Sequence, residues 1–107
     1  MANPYAGEVA LELDGSRHVL KLTLGALAEL EVELGAGDLI SLVQRFESGR
    51  FSASDLLALL AAGLRGGGAQ ISRDALARAE ISGGPMQAAR IAAQLLALSF
   101  AQPQGGS

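Results

Sequence analysis

The chain has 107 residues, enough for one domain and a single core. It carries 8 basic and 11 acidic residues, net −3, and so lacks the basic surplus on which nucleic-acid binding depends. With no Cys and one His, His18, it has no disulfide framework, no thiolate nucleophile, no Cys-based zinc site and no histidine pair for a metal or a proton relay.

The apolar half is skewed: 20 Ala and 19 Leu stand against 3 Phe, 1 Tyr and no Trp, which predicts a mostly helical fold with closely packed helices. The N-terminal stretch does not follow that trend. Residues 8–13, Glu-Val-Ala-Leu-Glu-Leu, alternate with the period of a half-buried strand. Asp14-Gly15 then suits a two-residue type I′ turn and predicts a second strand over 17–23. In that register one face sets Leu11 against His18 and Val9 against Leu20, and also carries Leu13 and Leu22. The other face sets Glu12 against Arg17 and Glu8 against Lys21, two opposite-charge pairs that a four-residue loop would lose. A lone hairpin is marginally stable, so its apolar face must lie on the helices.

Thr23 is a suitable N-cap for a first helix over 24–34, with Leu24, Leu27, Leu30 and Leu34 at helical spacing and Gly35 and Gly37 as the stop. Asp38 caps a second helix over 39–47 that places Leu39, Leu42, Val43 and Phe46 on one face, and Ser48 to Phe51 break it. Ser52 with Asp55 resembles a capping box for a third helix over 53–65, expected to bury Leu56, Leu57, Leu60 and Leu64. Gly66-Gly67-Gly68 ends that helix and reads as a hinge or connector. Ser72 and Asp74 open a short helix over 73–80, Gly83-Gly84 close it, and Pro85 opens the last helix over 85–101. The expected fold class is therefore α+β, mainly α. A hairpin and about five helices make one domain over 1–101, and 102–107 form a flexible tail.

The residues offer little chemistry. Glu29, Glu31 and Glu33 form the one local acidic cluster, and with no His or Asn set nearby they read as a solvated face rather than a metal site. His18 falls on the apolar side of the hairpin without a second positioned group, so it reads as a packed or edge residue rather than a catalyst. No Ser sits in a Gly-x-Ser-x-Gly elbow, and the Gly66 to Gly68 run lacks the Lys and Ser/Thr of a phosphate loop. The expectation is no enzyme, no cofactor and no metal. The N-terminus has no basic-then-apolar signal, and the longest apolar run, Leu56 to Leu64, is far short of the ~20 residues needed to span a bilayer. A cytoplasmic protein is expected.

Two features point toward protein partners. Residues 1–55 hold 9 acids and 4 bases, whereas residues 56–107 hold 2 acids and 4 bases, a division suited to oriented contact between molecules. The last helix is apolar around most of its girth: Met86, Ile91, Leu95, Leu98 and Phe100 share it with five alanines at 88, 89, 92, 93 and 97. Such a helix is either packed centrally or docked on a partner.

Residues 8–65 also resemble a known family. The pattern comprises Gly7-Glu8-Val9, Leu13-Asp14-Gly15 and the run Leu22 to Glu31 with its Leu34-Gly35 stop. It continues through Phe51-Ser52-Ala53-Ser54-Asp55-Leu56 and Leu60-Ala61-Ala62-Gly63-Leu64-Arg65, and the terminal apolar helix ending in Ser99-Phe100 fits as well. It looks like the small tail-assembly protein of alphaproteobacterial gene transfer agents and related siphophages, the phage tail assembly chaperones, sometimes labelled tail tube proteins. The resemblance implies a non-enzymatic protein that coats the helical, aggregation-prone tape-measure protein before tube subunits polymerise round it. On that reading Leu56, Leu60 and Leu64 of the third helix and Ile91, Leu95, Leu98 and Phe100 of the last are the partner-binding candidates, by helix-in-groove packing. Other tail proteins and further copies of the chain are the remaining partners. The alternative is a structural tail component kept in the finished particle, its hairpin extending a sheet between subunits. Arg17 and Lys21 on the second strand guard against such edge pairing.

Overall fold

The computed structural model describes residues 3, 7–35 and 37–101, and, within these, not the side chains of Leu39, Phe100 and Ala101. The expected flexible tail at 102–107 lies outside the described residues. Strands β1 (Glu8–Leu13) and β2 (Ser16–Lys21) are followed by α1 (Leu24–Leu34), α2 (Leu39–Glu47), α3 (Ala53–Gly66), α4 (Arg73–Arg78) and α5 (Gly84–Ala101). The fold class is α+β, mainly α, as the sequence predicts.

The hairpin has the predicted register: Val9 opposes Leu20, Leu11 opposes His18 and Glu12 opposes Arg17. Asp14 at φ 50° and Gly15 at φ 82° form the turn with both central residues in the left-handed region, where glycine and the short Asp side chain are tolerated. Val9, Leu11, Leu13, Leu20 and Leu22 are buried against α3 and α5, and His18 is half-buried on that face. The opposed charges do not close into ion pairs. The Glu12 carboxylate accepts from the Ser82 hydroxyl at 2.9 Å and that of Glu8 from the Asn3 backbone N–H at 2.9 Å. β2 ends at Lys21 instead of reaching residue 23, because Thr23 is spent as the cap of α1, its hydroxyl accepting from the Ala26 N–H at 3.1 Å.

The first four helices carry their expected caps, and α5 starts at Gly84, one residue before the expected Pro85. Ser52 and Asp55 form a complete capping box, each side chain accepting from the other's backbone N–H at 3.0 and 3.1 Å. Gly35, at φ 62°, ends α1 in the left-handed conformation. Leu42 and Phe46 bury the apolar face of α2, and Phe46 stacks on Phe51 with ring centroids 4.8 Å apart, tying α2 to the lead-in of α3. Arg45 donates to the orphan Leu34 carbonyl at 3.1 Å and pairs with Asp55 at 3.5 Å. Of the acidic cluster, Glu29 pairs with Arg65 at 3.1 Å and Glu33 with Arg73, so the cluster bridges α1 to α3 and α4.

Asp38 caps α2 through the Ser41 N–H at 2.7 Å, and that bond, followed by one with the Ser41 side chain, holds its carboxyl below the ordinary value of 3.8. A folded-state value lower than the unfolded one gives a contribution that is full above the unfolded value and disappears as pH falls through the folded one. Asp38→Asn keeps an acceptor but does not titrate. The wild type should therefore lose stability relative to Asp38→Asn between about pH 6 and about pH 3 in urea unfolding, and an equal gap at both would contradict this cap.

Several expectations are corrected. Leu24 is 80% exposed, because the buried side of α1 is made by Ala26, Leu27 and Leu30, with Leu34 half-buried. α3 is enclosed by β2, α1, α4 and α5, so residues 58–64 are all buried, while Leu56 and Leu57 are only half-buried. The Gly66 to Gly68 segment is not a simple hinge. A Cβ on Gly66 would stand 1.9 Å from the Lys21 carbonyl oxygen, and one on Gly67 1.9 Å from that of Val19, so the end of α3 lies against the outer edge of β2. α4 stops at Arg78 rather than residue 80, because the next residues pair with β1.

Candidate functional site

That pairing shapes one concavity of the described residues. Ile81 bridges Leu13, the Asp14 N–H donates to the Glu80 carbonyl at 2.8 Å, and the Ser82 N–H donates to the Glu12 carbonyl at 3.2 Å. The Asp14 carboxylate also accepts from the Glu80 N–H at 2.9 Å. Residues 80–82 thus act as a short third strand on the outer edge of β1 and clasp the link between α4 and α5 to the hairpin turn. Gly83 and Gly84, at φ 88° and 73°, then turn the chain into α5, a conformation costly for any residue with a Cβ.

The clasp, α4, the first half of α3 and the start of α5 surround a cleft of about 800 Å³. Leu56, Leu57 and Leu60 form its floor, Leu76 and Ala77 one wall, Ile81, Pro85 and Ala88 the other, and Asp14-Gly15 one end. Leu60, Leu76 and Ala88 are at most 2% exposed and form the base, whereas Leu56, Leu57 and Ile81 are half-buried and open to a ligand. The charged residues lining it, Asp14 and Glu80, are both acidic and stand at the rim. Among the described residues no three His, Cys, Asp or Glu gather as a metal site. An apolar floor with one acidic end, where Asp14 and Glu80 meet, suits an apolar ridge such as one face of a helix with a basic side chain at one end.

Of the partner-binding candidates, Leu56 and Leu60 come together in this cleft. Leu64 and Leu95 are fully buried, and a Cβ on Gly63 would lie 2.8 Å from Leu95 Cδ2, so these two residues pack within the core. Ile91 is 7% exposed on the buried side of α5, Leu98 packs half-buried against the core, and the Phe100 side chain lies outside the described set. Leu57, Ile81, Asp14 and Glu80 line the cleft but are not among the partner-binding candidates read from the sequence. The signal for Ile81 was its place as a β-branched apolar residue between the end of a short helix and two glycines, where a brief strand fits as well as a loop.

No helix among the described residues is long and apolar enough to cross a membrane. A family model described as phage tail tube protein, GTA-gp10, matches residues 6–102, nearly the whole chain. No curated protein and no solved structure gives a significant match.

Proposed function

Because the chain belongs to the GTA-gp10 phage tail tube protein family, we propose that it serves tail assembly by holding an apolar helix of the tape-measure protein before tube subunits polymerise. It does so without catalysis, in the cytoplasm of the producing cell, and is released as the tube forms. The observation that carries this reading is the cleft of about 800 Å³ with its leucine floor and acidic end. A long helical partner presents an apolar stripe on each turn, and a shallow, open cleft favours contacts that form and release many times along it. Leu56 and Leu57 supply the accessible apolar contact, while Leu60, Leu64, Ile91 and Leu95 act from beneath by fixing the shape of the floor and the seating of α5.

A second reading is a tail component retained in the particle, and the family's description as tail tube protein favours it. Quantitative mass spectrometry of purified mature particles beside the producing-cell lysate separates the two. Abundance in the lysate with absence from particles is the expected result. A fixed, many-copy stoichiometry in particles would replace the chaperone reading with the structural one.

A further inference from the structure

The stretch between Gly68 and Gly83 is held to the molecule by little apolar burial. Leu76 is its one buried residue, with Ile71 and Ile81 half-buried, whereas residues 58–64 of α3 are all buried. Its other ties are polar. Residues 80–82 bond to Glu12 and Asp14, and Arg73 pairs with Glu33 of α1 at a partly exposed site. Glycines in the left-handed region stand at both ends, Gly68 at φ 97° and Gly83 at φ 88°. Segments with so few buried apolar contacts open before the rest of a domain unfolds.

We propose that residues 69–82, α4 and the clasp together, form a strap over α3 that lifts as one unit to admit a partner helix. The proposal rests on the reading of the cleft as the tape-measure site and adds the step by which that site opens. With the strap down, Leu56 and Leu57 are half-buried, and Leu60, one turn on, is 1% exposed at the base beside Leu76. Lifting the strap turns the three leucines into one accessible stripe at i, i+1 and i+4, against which the apolar ridge of a helix can pack. Closure of the strap competes with the partner and keeps the hold reversible.

Native-state hydrogen exchange of the full chain tests the lifting without a partner. The Asp14 N–H sits on the hairpin, yet its acceptor is the Glu80 carbonyl, so its exchange reports the clasp. A six-residue helix does not persist alone, so the Leu76 N–H of α4, bonded to the Ser72 carbonyl, should open with it. Both should be protected about a hundredfold less than the amides of Leu59 and Leu95 in the core. Protection equal to the core at either amide would overturn the proposal.

A lock tests the link to binding. Glu12 and Ser82 lie opposite each other across the clasp, where Cα atoms stand about 5.5 Å apart, within disulfide range. The chain has no cysteine of its own to compete. Oxidised Glu12→Cys/Ser82→Cys should capture the tape-measure protein about tenfold less well than the same chain reduced. Arg73→Ala removes the tie to Glu33 outside the cleft, and should speed clasp exchange and strengthen capture about threefold. Equal capture by the oxidised and reduced chains, or capture unchanged in Arg73→Ala while its clasp exchange quickens, would overturn the strap as a gate and leave the cleft reading standing. A wild type that captures nothing would overturn the cleft reading and the gate with it.

Discussion

Gly66→Ala and Gly67→Ala each destabilise the chain by about 3 kcal/mol, with a fall of roughly 10–20 °C in Tm. Helix propensity alone predicts the opposite at Gly66, where alanine should gain about 1 kcal/mol. The added methyl decides the sign. It would stand 1.9 Å from the Lys21 carbonyl oxygen, and for Gly67 1.9 Å from that of Val19. These are backbone atoms of a strand held in register to β1, so they do not yield as the tip of a flexible side chain would. Gly25→Ala provides the contrast. It lies in α1 with a negative φ, its nearest neighbour is the Thr23 hydroxyl at 4.0 Å, and alanine there should stabilise by about 0.5–1 kcal/mol. Thermal and urea unfolding of the three variants decides it. A Gly66→Ala variant as stable as Gly25→Ala would show that α3 does not end against β2.

The same glycines mark where the sequence stopped being informative. Local signals were strong where the physics is local. The Asp14-Gly15 turn set the hairpin register, and Thr23, Asp38, Ser52 and Ser72 each cap a helix through a hydroxyl or carboxylate that accepts from a backbone N–H three residues on. What the sequence could not show was contact between distant segments. Nothing near Gly66 says that a strand backbone some 45 residues earlier lies against it. Nothing near Ile81 says that Leu13 is its neighbour, so the clasp, and the cleft it frames, emerged only in three dimensions. The leucines of α3 illustrate the same limit. Their spacing identifies a packed helix, but which of Leu56, Leu57, Leu59 and Leu60 stays accessible depends on where α4 is held.

The second large effect is on binding. If the cleft holds the tape-measure protein as proposed, Leu56→Ser with Leu57→Ser weakens that binding roughly thirty- to 150-fold, taking each leucine to contribute about 1–1.5 kcal/mol of newly buried apolar surface. Both side chains are already half-buried, so the pair also costs the fold about 2–3 kcal/mol, which a domain with the usual 5–15 kcal/mol tolerates. Leu95→Ala would be a poor probe, since a fully buried leucine lost from the core costs about 2–5 kcal/mol wherever the partner sits. Ile40→Ser is the appropriate control: Ile40 is 69% exposed on α2 and does not line the cleft.

The most direct measurement is co-purification of the tape-measure protein with tagged wild-type, Leu56→Ser/Leu57→Ser and Ile40→Ser chains, each first shown to be folded by circular dichroism. The cleft reading predicts capture by the wild type and by Ile40→Ser, and its loss in the cleft variant. A folded cleft variant that captures the tape-measure protein as well as the wild type does would contradict it.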